Sequence, residues 1–178
     1  MQPSADLITE VVFTAASDGI NNNVVFGAGM NAQGYILRLN NTSDLGDNIW
    51  FVGGGVSKSI KMNSPKDRLP IRVANNYISV NGVKTIYNRN KEDLQSDIWI
   101  MDCLDRRGAV KRGKGKIESV RMWKDGVLIR DLVPAKDTLT ERVGMYDLVQ
   151  NMFYGDMNDG DFIAGEWNNK PAPSHTIE

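Results

Sequence analysis

The chain has 178 residues, of which 41% are hydrophobic and 24% charged, with a formal net charge of −1. Its length suits one large domain, and its composition is that of globular chains. No apolar run approaches the roughly 20 residues of a membrane-spanning helix, and a near-neutral chain lacks the basic footprint that nucleic-acid binding requires. We therefore expect neither membrane insertion nor a nucleic-acid partner.

Cysteine and histidine are too scarce for the common catalytic and metal centres. Cys103 is the single cysteine, and His175, the single histidine, stands near the end of a Pro-containing segment. Zinc sites need several such ligands, and Ser-His or Cys-His chemistry needs a histidine held beside its nucleophile. The sequence therefore predicts no metal site, no cofactor and no histidine-dependent catalysis.

Short segments with the composition of β-strands follow one another along the chain, separated by Gly, Asn, Asp and Ser. They comprise Leu7–Phe13, Val24–Phe26, Tyr35–Leu39, Asn48–Val52, Ile71–Val73, Tyr77–Val80, Val83–Tyr87, Ile117–Trp123 and Val127–Val133. No run of about eleven residues has the apolar period of a helix. The pattern predicts an all-β antiparallel sandwich or barrel over residues 1–165, followed by a polar tail at residues 166–178.

Two dipeptides predict tight hairpins within this series. Asn81-Gly82 and Asp125-Gly126 each stand between two of the strands. Both dipeptides tolerate the positive φ angles that a two-residue hairpin turn requires.

The last third of the chain carries a more specific pattern. Its segments are Arg130-Asp131-Leu132-Val133-Pro134, Gly144-Met145-Tyr146-Asp147, Phe153-Tyr154 and Gly160-Asp161-Phe162-Ile163-Ala164-Gly165. In spacing and residue type they resemble the closing strands of concanavalin A-like lectin/glucanase, or laminin-G-like, jelly-roll domains. More narrowly, they are similar to versions found in virion proteins of phages that infect gut Bacteroidales, the crAss-like group included, and in surface proteins of the hosts.

The resemblance implies a two-sheet jelly-roll β-sandwich in which these signature residues are mostly structural. Arg130 and Asp131 would pair with charges at strand ends. Tyr146 and Phe153 would pack inward, and Gly144 would permit a close approach of the backbone.

The resemblance also implies a function in a virion. We expect a non-catalytic structural protein, such as a head decoration, head fibre or collar/tail component, that docks to other virion proteins and forms a homo-oligomer. The chain starts without a secretory signal, which fits assembly in the host cytoplasm. The carboxylate pattern of glucanases with this fold is absent, and Glu118 stands alone. The alternative is a carbohydrate-binding, lectin-like module of an adhesin or bacterial surface protein, with a host-surface glycan as its ligand.

The start of the chain is a candidate docking edge. Domains of this kind usually open with one more strand before the one that corresponds to Leu7–Phe13. That strand or its neighbour is therefore expected at an open sheet edge, where Leu7, Val11 and Phe13 would contact a partner. The alternative is that residues 1–6 or the tail at residues 166–178 fold back and cover the edge within one chain.

A basic run is a second candidate docking segment. It includes Arg106, Arg107, Lys111 and Arg112 among glycines, with no acidic residue from 106 to 116. We expect a flexible loop that docks to an acidic protein partner; a solvated connection between two strands is the alternative.

Two tryptophans are candidate glycan-binding residues. Trp50 follows Asp47 and Asn48, and Trp167 precedes Asn168. Sugars bind to aromatic platforms flanked by amide and carboxylate groups. The alternative for Trp50 is a core position, with the asparagines serving turns.

Residues 155–161 are rich in Asp, Asn and Gly, which invites a calcium interpretation. The spacing is one residue too short for an EF-hand loop. A hairpin turn accounts for the same residues, so no metal site is predicted there.

Overall fold

The structure is a computed structural model that describes residues 6–16, 23–28, 35–42, 46–53, 56–62, 67–88, 97–104 and 110–155. These residues contain fifteen β-strands and no helix, so the predicted all-β class is confirmed. The strands are β1 (Leu7–Ala15), β2 (Asn23–Ala28), β3 (Tyr35–Thr42), β4 (Gly46–Gly53), β5 (Val56–Lys61), β6 (Leu69–Val73), β7 (Tyr77–Val80), β8 (Val83–Ile86), β9 (Trp99–Ile100), β10 (Asp102–Leu104), β11 (Val110–Arg112), β12 (Gly115–Lys124), β13 (Val127–Lys136), β14 (Val143–Asp147) and β15 (Met152–Gly155).

Two antiparallel sheets form the sandwich. The larger sheet has eight strands in the order β15-β14-β13-β12-β1-β6-β7-β8, and the smaller has five in the order β5-β4-β3-β2-β9. β10 and β11 form a separate two-stranded ribbon beside β2. The chain passes from the larger sheet to the smaller after β1 and returns at β6; it crosses again after β8, to β9, and returns at β12. The jelly-roll connectivity implied by the resemblance stays a prediction.

The core lies between the two sheets, and β1 shows how the sequence creates it. Every second residue of β1 is buried, and the residues between them are partly exposed. Successive side chains of a strand point to opposite faces of the sheet, so this pattern directs one apolar face inward. Complete burial of a side chain such as Leu7 or Phe13 contributes about 1.5–3 kcal/mol.

Four aromatic rings form a line through this core. Phe26 stacks on Tyr35 with ring centroids 5.4 Å apart, Tyr35 meets Phe51 edge-on at 5.5 Å, and Phe51 stacks on Tyr87 at 5.5 Å. The buried Tyr35 hydroxyl of the smaller sheet donates to Thr9 Oγ1 of the larger sheet over 3.0 Å. This hydrogen bond satisfies two polar groups that burial would otherwise penalise, and it ties the sheets together.

The predicted open edge at Leu7–Phe13 is wrong. β1 is an interior strand, because it pairs along its whole length with β12 and over its middle with β6. Both neighbours come from far along the chain. Leu7, Val11 and Phe13 face the core with 1%, 1% and 0% of their surface exposed, so they are not available to a docking partner.

Both predicted hairpins are confirmed. The φ angles are 51° at Asn81 and 81° at Gly82, and 51° at Asp125 and 78° at Gly126. Positive values at both central residues define a type I′ turn. The first turn joins β7 to β8 and the second joins β12 to β13.

Candidate docking and binding surfaces

The signature residues of the closing strands converge on one buried carboxylate. Asp147, the last residue of β14, has no exposed surface. Its Oδ1 accepts the backbone N–H groups of Asp131 (3.1 Å) and Val149 (3.0 Å), and its Oδ2 lies 3.4 Å from Arg130 Nε. A buried charge without such partners would be strongly unfavourable. These four residues, which we call the Asp147 cluster, fasten the turn between β14 and β15 onto β13.

The remaining signature residues have mixed outcomes. A Cβ atom on Gly144 would lie 2.2 Å from the carbonyl oxygen of Tyr154, which confirms the predicted close approach. The predicted inward packing of Tyr146 and Phe153 is wrong. Met145 is the buried neighbour on β14, so alternation turns Tyr146, and Phe153 paired with it on β15, away from the core.

Trp50 lies on the outer face of the five-stranded sheet and not in the core. Its neighbours Ile49 and Phe51 are fully buried, so alternation turns Trp50 outward. The Arg38 guanidinium carbon lies 3.6 Å from the ring centroid, and the indole N–H donates to Ser57 Oγ over 2.6 Å. One ring face and the N–H group are thus engaged by protein side chains.

The other predicted glycan-binding residues do not extend this surface within the described part of the chain. Asn48 is buried, with 2% of its surface exposed. The side chain of Asp47 and the whole of Trp167 and Asn168 lie outside the described residues. So does the segment 156–161 that invited a calcium interpretation.

The predicted basic docking residues also fall largely outside the described residues. Arg106 and Arg107 lie outside them entirely. Lys111 and Arg112 belong to β11, which pairs with β10, but their side chains lie outside the described set.

The chain that follows β11 is anchored by a buried asparagine. Asn23, 3% exposed, accepts the Lys114 N–H (2.7 Å) and donates to the Lys114 carbonyl (2.6 Å). A Cβ on Gly113 would lie 2.0 Å from the carbonyl oxygen of Val24. The prediction of a flexible loop is therefore wrong for this part of the basic run, because its glycine permits close packing against β2.

A row of charges crosses the outer face of the eight-stranded sheet, and sequence reasoning missed it. Arg72 Nη1 lies 3.0 Å from Glu10 Oε2, and Arg121 Nε lies 3.1 Å from Asp131 Oδ1. Glu10 stands opposite both arginines in the strand register, so opposite charges alternate across four adjacent strands. The four charged residues come from four different strands, so the row becomes visible only once the register is known.

Aromatic rings border this row of charges. The Arg72 guanidinium carbon lies 4.8 Å from the Trp123 ring centroid, and its Nε donates to the Tyr77 hydroxyl over 3.2 Å. Burial lowers the pKa of Arg72, but its hydrogen bonds to Glu10 and Tyr77 raise it more, so the pKa lies above the ordinary value. Arg72 therefore keeps its charge, and this face presents rings already stacked with a protein cation.

The strand β8 ends the eight-stranded sheet and exposes apolar side chains. Val83 is 73% and Ile86 64% exposed. Among the described residues β8 pairs with β7 alone. Exposed apolar side chains beside an open backbone edge are typical of association surfaces.

The one carboxylate considered for catalysis is part of an ion pair. Glu118 Oε2 lies 2.7 Å from Arg68 Nε. In the described part of the chain, no three His, Cys, Asp or Glu side chains come together as a group that could hold a metal ion. Nor does that part contain a helix long and apolar enough to cross a membrane.

The sequence matches no protein-family model and no curated protein. The family to which the closing strands are similar therefore stays a prediction, and function is argued from the surfaces described above.

Proposed function

We propose that the protein is a non-catalytic structural module that docks to other proteins, as a head decoration, head fibre or collar/tail component of a virion. The observation that carries the proposal is the Asp147 cluster. Three of its four residues, Arg130, Asp131 and Asp147, belong to the pattern that gives the closing strands their resemblance, and they hold the turn after β14 against β13. A signature composed of structural contacts supports a scaffold function better than a catalytic one.

The carboxylates support the same proposal. Hydrolysis of a glycosidic bond needs two carboxyl groups that face one substrate. Glu118 is instead paired with Arg68, and Glu10 and Asp131 are paired with Arg72 and Arg121. Paired in this way, the groups stabilise the outer face of the sheet.

The decisive experiment is electron microscopy of purified virions labelled with an antibody against this chain. We expect label at regular positions on the head or the collar. Intact virions that carry no label, while the protein is abundant in the unassembled fraction of the lysate, would contradict the proposal.

A second candidate function is glycan binding, and the outward position of Trp50 favours it. An aromatic ring on a sheet face, with Arg38 and Ser57 beside it, can stack on a sugar ring and present hydrogen-bond donors. If this surface binds glycans, Trp50→Ala should abolish binding on an array of host polysaccharides. Trp123→Ala, on the other sheet, should leave it unchanged. Equal binding by all three proteins would exclude Trp50 as the site.

A further inference from the structure

In the described part of the chain no strand pairs with the side of β8 that faces away from β7, and we call this side the open edge. Its backbone groups follow a defined pattern. The Tyr87 N–H donates to the Asn76 carbonyl over 3.0 Å. In antiparallel pairs, hydrogen-bonded and non-hydrogen-bonded positions alternate. Counting back from Tyr87, the backbone groups of Thr85 face β7, whereas those of Lys84 and Ile86 point away from it.

The side chains of β8 give this edge little protection. Natural edge strands are commonly guarded by lysine, proline or a bulge. Here Lys84 Nζ lies 4.8 Å from the Tyr77 ring centroid, so the charge is held over its own sheet. Val83 and Ile86 expose 73% and 64% of their surface beside the open backbone groups.

Two edge strands of the smaller sheet differ from β8. In β5 the exposed positions are polar, namely Ser57, Ser59 and Lys61. β9 has two residues, too few for a stable pairing surface. β8 therefore combines exposed apolar side chains with open hydrogen-bonding groups in a way that these edges do not.

We propose that β8 pairs antiparallel with β8 of a second copy of the chain, about a twofold axis that passes beside Thr85. In this register Lys84 stands opposite Ile86 of the partner subunit. The two symmetric pairs would exchange about four backbone hydrogen bonds, because the outward groups of both residues then face each other. The two Thr85 side chains would be directly opposite, a favourable cross-strand pair.

The alternative registers that match outward groups are less favourable. An axis beside Lys84 would place two ammonium groups directly opposite each other, and like charges in that position are destabilising. An axis beside Ile86 would leave Lys84 opposite Asn88, beyond the end of β8. The result of the favoured register is an isologous dimer whose larger sheets are continuous.

This inference rests on the proposed docking function and deepens it, because it names the surface through which the module associates. Analytical ultracentrifugation of the full chain over a range of concentrations tests it. We expect a monomer–dimer equilibrium that Ile86→Lys weakens roughly tenfold or more, because it places like charges opposite each other. Adding Lys84→Glu to that variant should restore the dimer, because opposite charges then face each other across the axis.

A matched control comes from the other Asp/Asn-Gly hairpin. Val127 follows the Asp125-Gly126 turn and is 63% exposed, but it lies on an interior strand of the sheet. Val127→Lys should leave the dimer unchanged. A monomeric wild-type chain at every concentration, an undiminished dimer in Ile86→Lys, or no rescue by Lys84→Glu would each overturn the proposal.

Oxidative cross-linking supplies a readout that does not depend on charge. Thr85 Cα atoms in a non-hydrogen-bonded pair would lie about 4.5 Å apart, within reach of a disulfide. Thr85→Cys should therefore give a covalent dimer, and Val127→Cys should not; equal cross-linking of both would contradict the register. If electron microscopy finds label on virions but ultracentrifugation shows only monomer, the edge pairing alone would be overturned. A dimer with unlabelled virions would overturn only the virion assignment.

Discussion

The two ends of the eight-stranded sheet are built by different means. At the β15 end, side chains fix the strands: the Asp147 cluster joins β13 to the end of β14 and the turn that follows it, and Gly144 lets β14 and β15 approach closely. At the β8 end, the Asn81-Gly82 turn and the backbone ladder carry the hairpin, and Val83 and Ile86 remain 73% and 64% exposed. The comparison teaches that the recognisable residues mark the end whose strands are held by side-chain contacts, whereas the end without a signature depends on its turn and its backbone hydrogen bonds.

The largest effect expected at the β15 end is that of Asp147→Asn. The asparagine amide keeps the shape of the side chain and one acceptor oxygen, but it removes the buried negative charge that balances the Arg130 guanidinium. Breaking such a pair from one side should lower the free energy of unfolding by about 2–3 kcal/mol. Urea unfolding followed by tryptophan fluorescence measures the change.

The control for this variant is Asp125→Asn, which removes a carboxylate from a turn where asparagine is equally suitable. Its free energy of unfolding should equal that of the wild type. Equal stability of the Asp147 and Asp125 variants would mean that the Asp147 cluster contributes nothing beyond its neutral hydrogen bonds.

A somewhat smaller effect is expected from Gly144→Ala. The new Cβ atom would lie 2.2 Å from the Tyr154 carbonyl oxygen, so β15 must move away from β14. Overpacking of this kind costs about 1–3 kcal/mol. Gly155→Ala is the matched control, because its Cβ would meet only the flexible end of the Arg142 side chain, at 2.6 Å. If Gly155→Ala lowered the free energy of unfolding more than Gly144→Ala does, the close approach of β14 and β15 at Gly144 would not be needed for stability.

At the β8 end the expected effect is smaller and comes from the backbone. Gly82 has a φ of 81°, and a Cβ atom added there would meet nothing within 4 Å, so Gly82→Ala introduces strain without a clash. The cost should be about 1 kcal/mol. Gly126→Ala, at a φ of 78° in the other hairpin, should cost the same in denaturant unfolding. A larger loss at Gly82 would indicate that the β8 end is fixed by contacts beyond its turn.

Local patterns predicted nine of the fifteen described strands and the two hairpins, because these depend on neighbouring residues; β5 and the short strands β9, β10 and β11 carry no such pattern and were missed. The β-branched composition of β1 and the positive φ tolerance of Asn-Gly and Asp-Gly act over a few positions. The neighbours of β1 could not be predicted in this way, since β6 and β12 are distant in sequence. That is why an interior strand was predicted to be an edge.

The binding surfaces were harder to predict for the same reason. Ile49, Trp50 and Phe51 are three consecutive apolar residues, so their composition does not say which of them faces the core. The burial of Ile49 and Phe51 in the folded sandwich shows that Trp50 faces outward. The contact of Asn23 with Lys114 likewise joins residues 91 positions apart.

The turn between β13 and β14 sharpens the comparison. Hydrogen bonds to the Asp137 side chain stabilise this turn, whereas the turn before β8 depends on the backbone conformation of Asn81 and Gly82. Asp137 Oδ2 accepts the Thr140 hydroxyl (2.6 Å), and Oδ1 accepts the Leu139 N–H (2.9 Å). These bonds, that of Thr140 first, hold the pKa of Asp137 below its ordinary value of 3.8. Because the folded pKa is the lower one, the ionised carboxylate stabilises the fold above the ordinary value, and this contribution is lost as the pH falls through the folded pKa.

The smallest predicted effect is a change in this titration. Carbon-detected NMR of the Asp137 carboxyl group should give a pKa below 3.8, and Thr140→Val should raise it, because the variant keeps the shape and removes the hydroxyl donor. Thr140→Ser retains the donor and should keep the pKa low. Leu139→Ala, at a residue 93% exposed, leaves the backbone N–H in place and should also have no effect. If the pKa of Asp137 is the same in Thr140→Val and in the wild type, the Leu139 N–H rather than the hydroxyl keeps this pKa low. The turn between β13 and β14 would then depend on backbone groups, as the turn before β8 does.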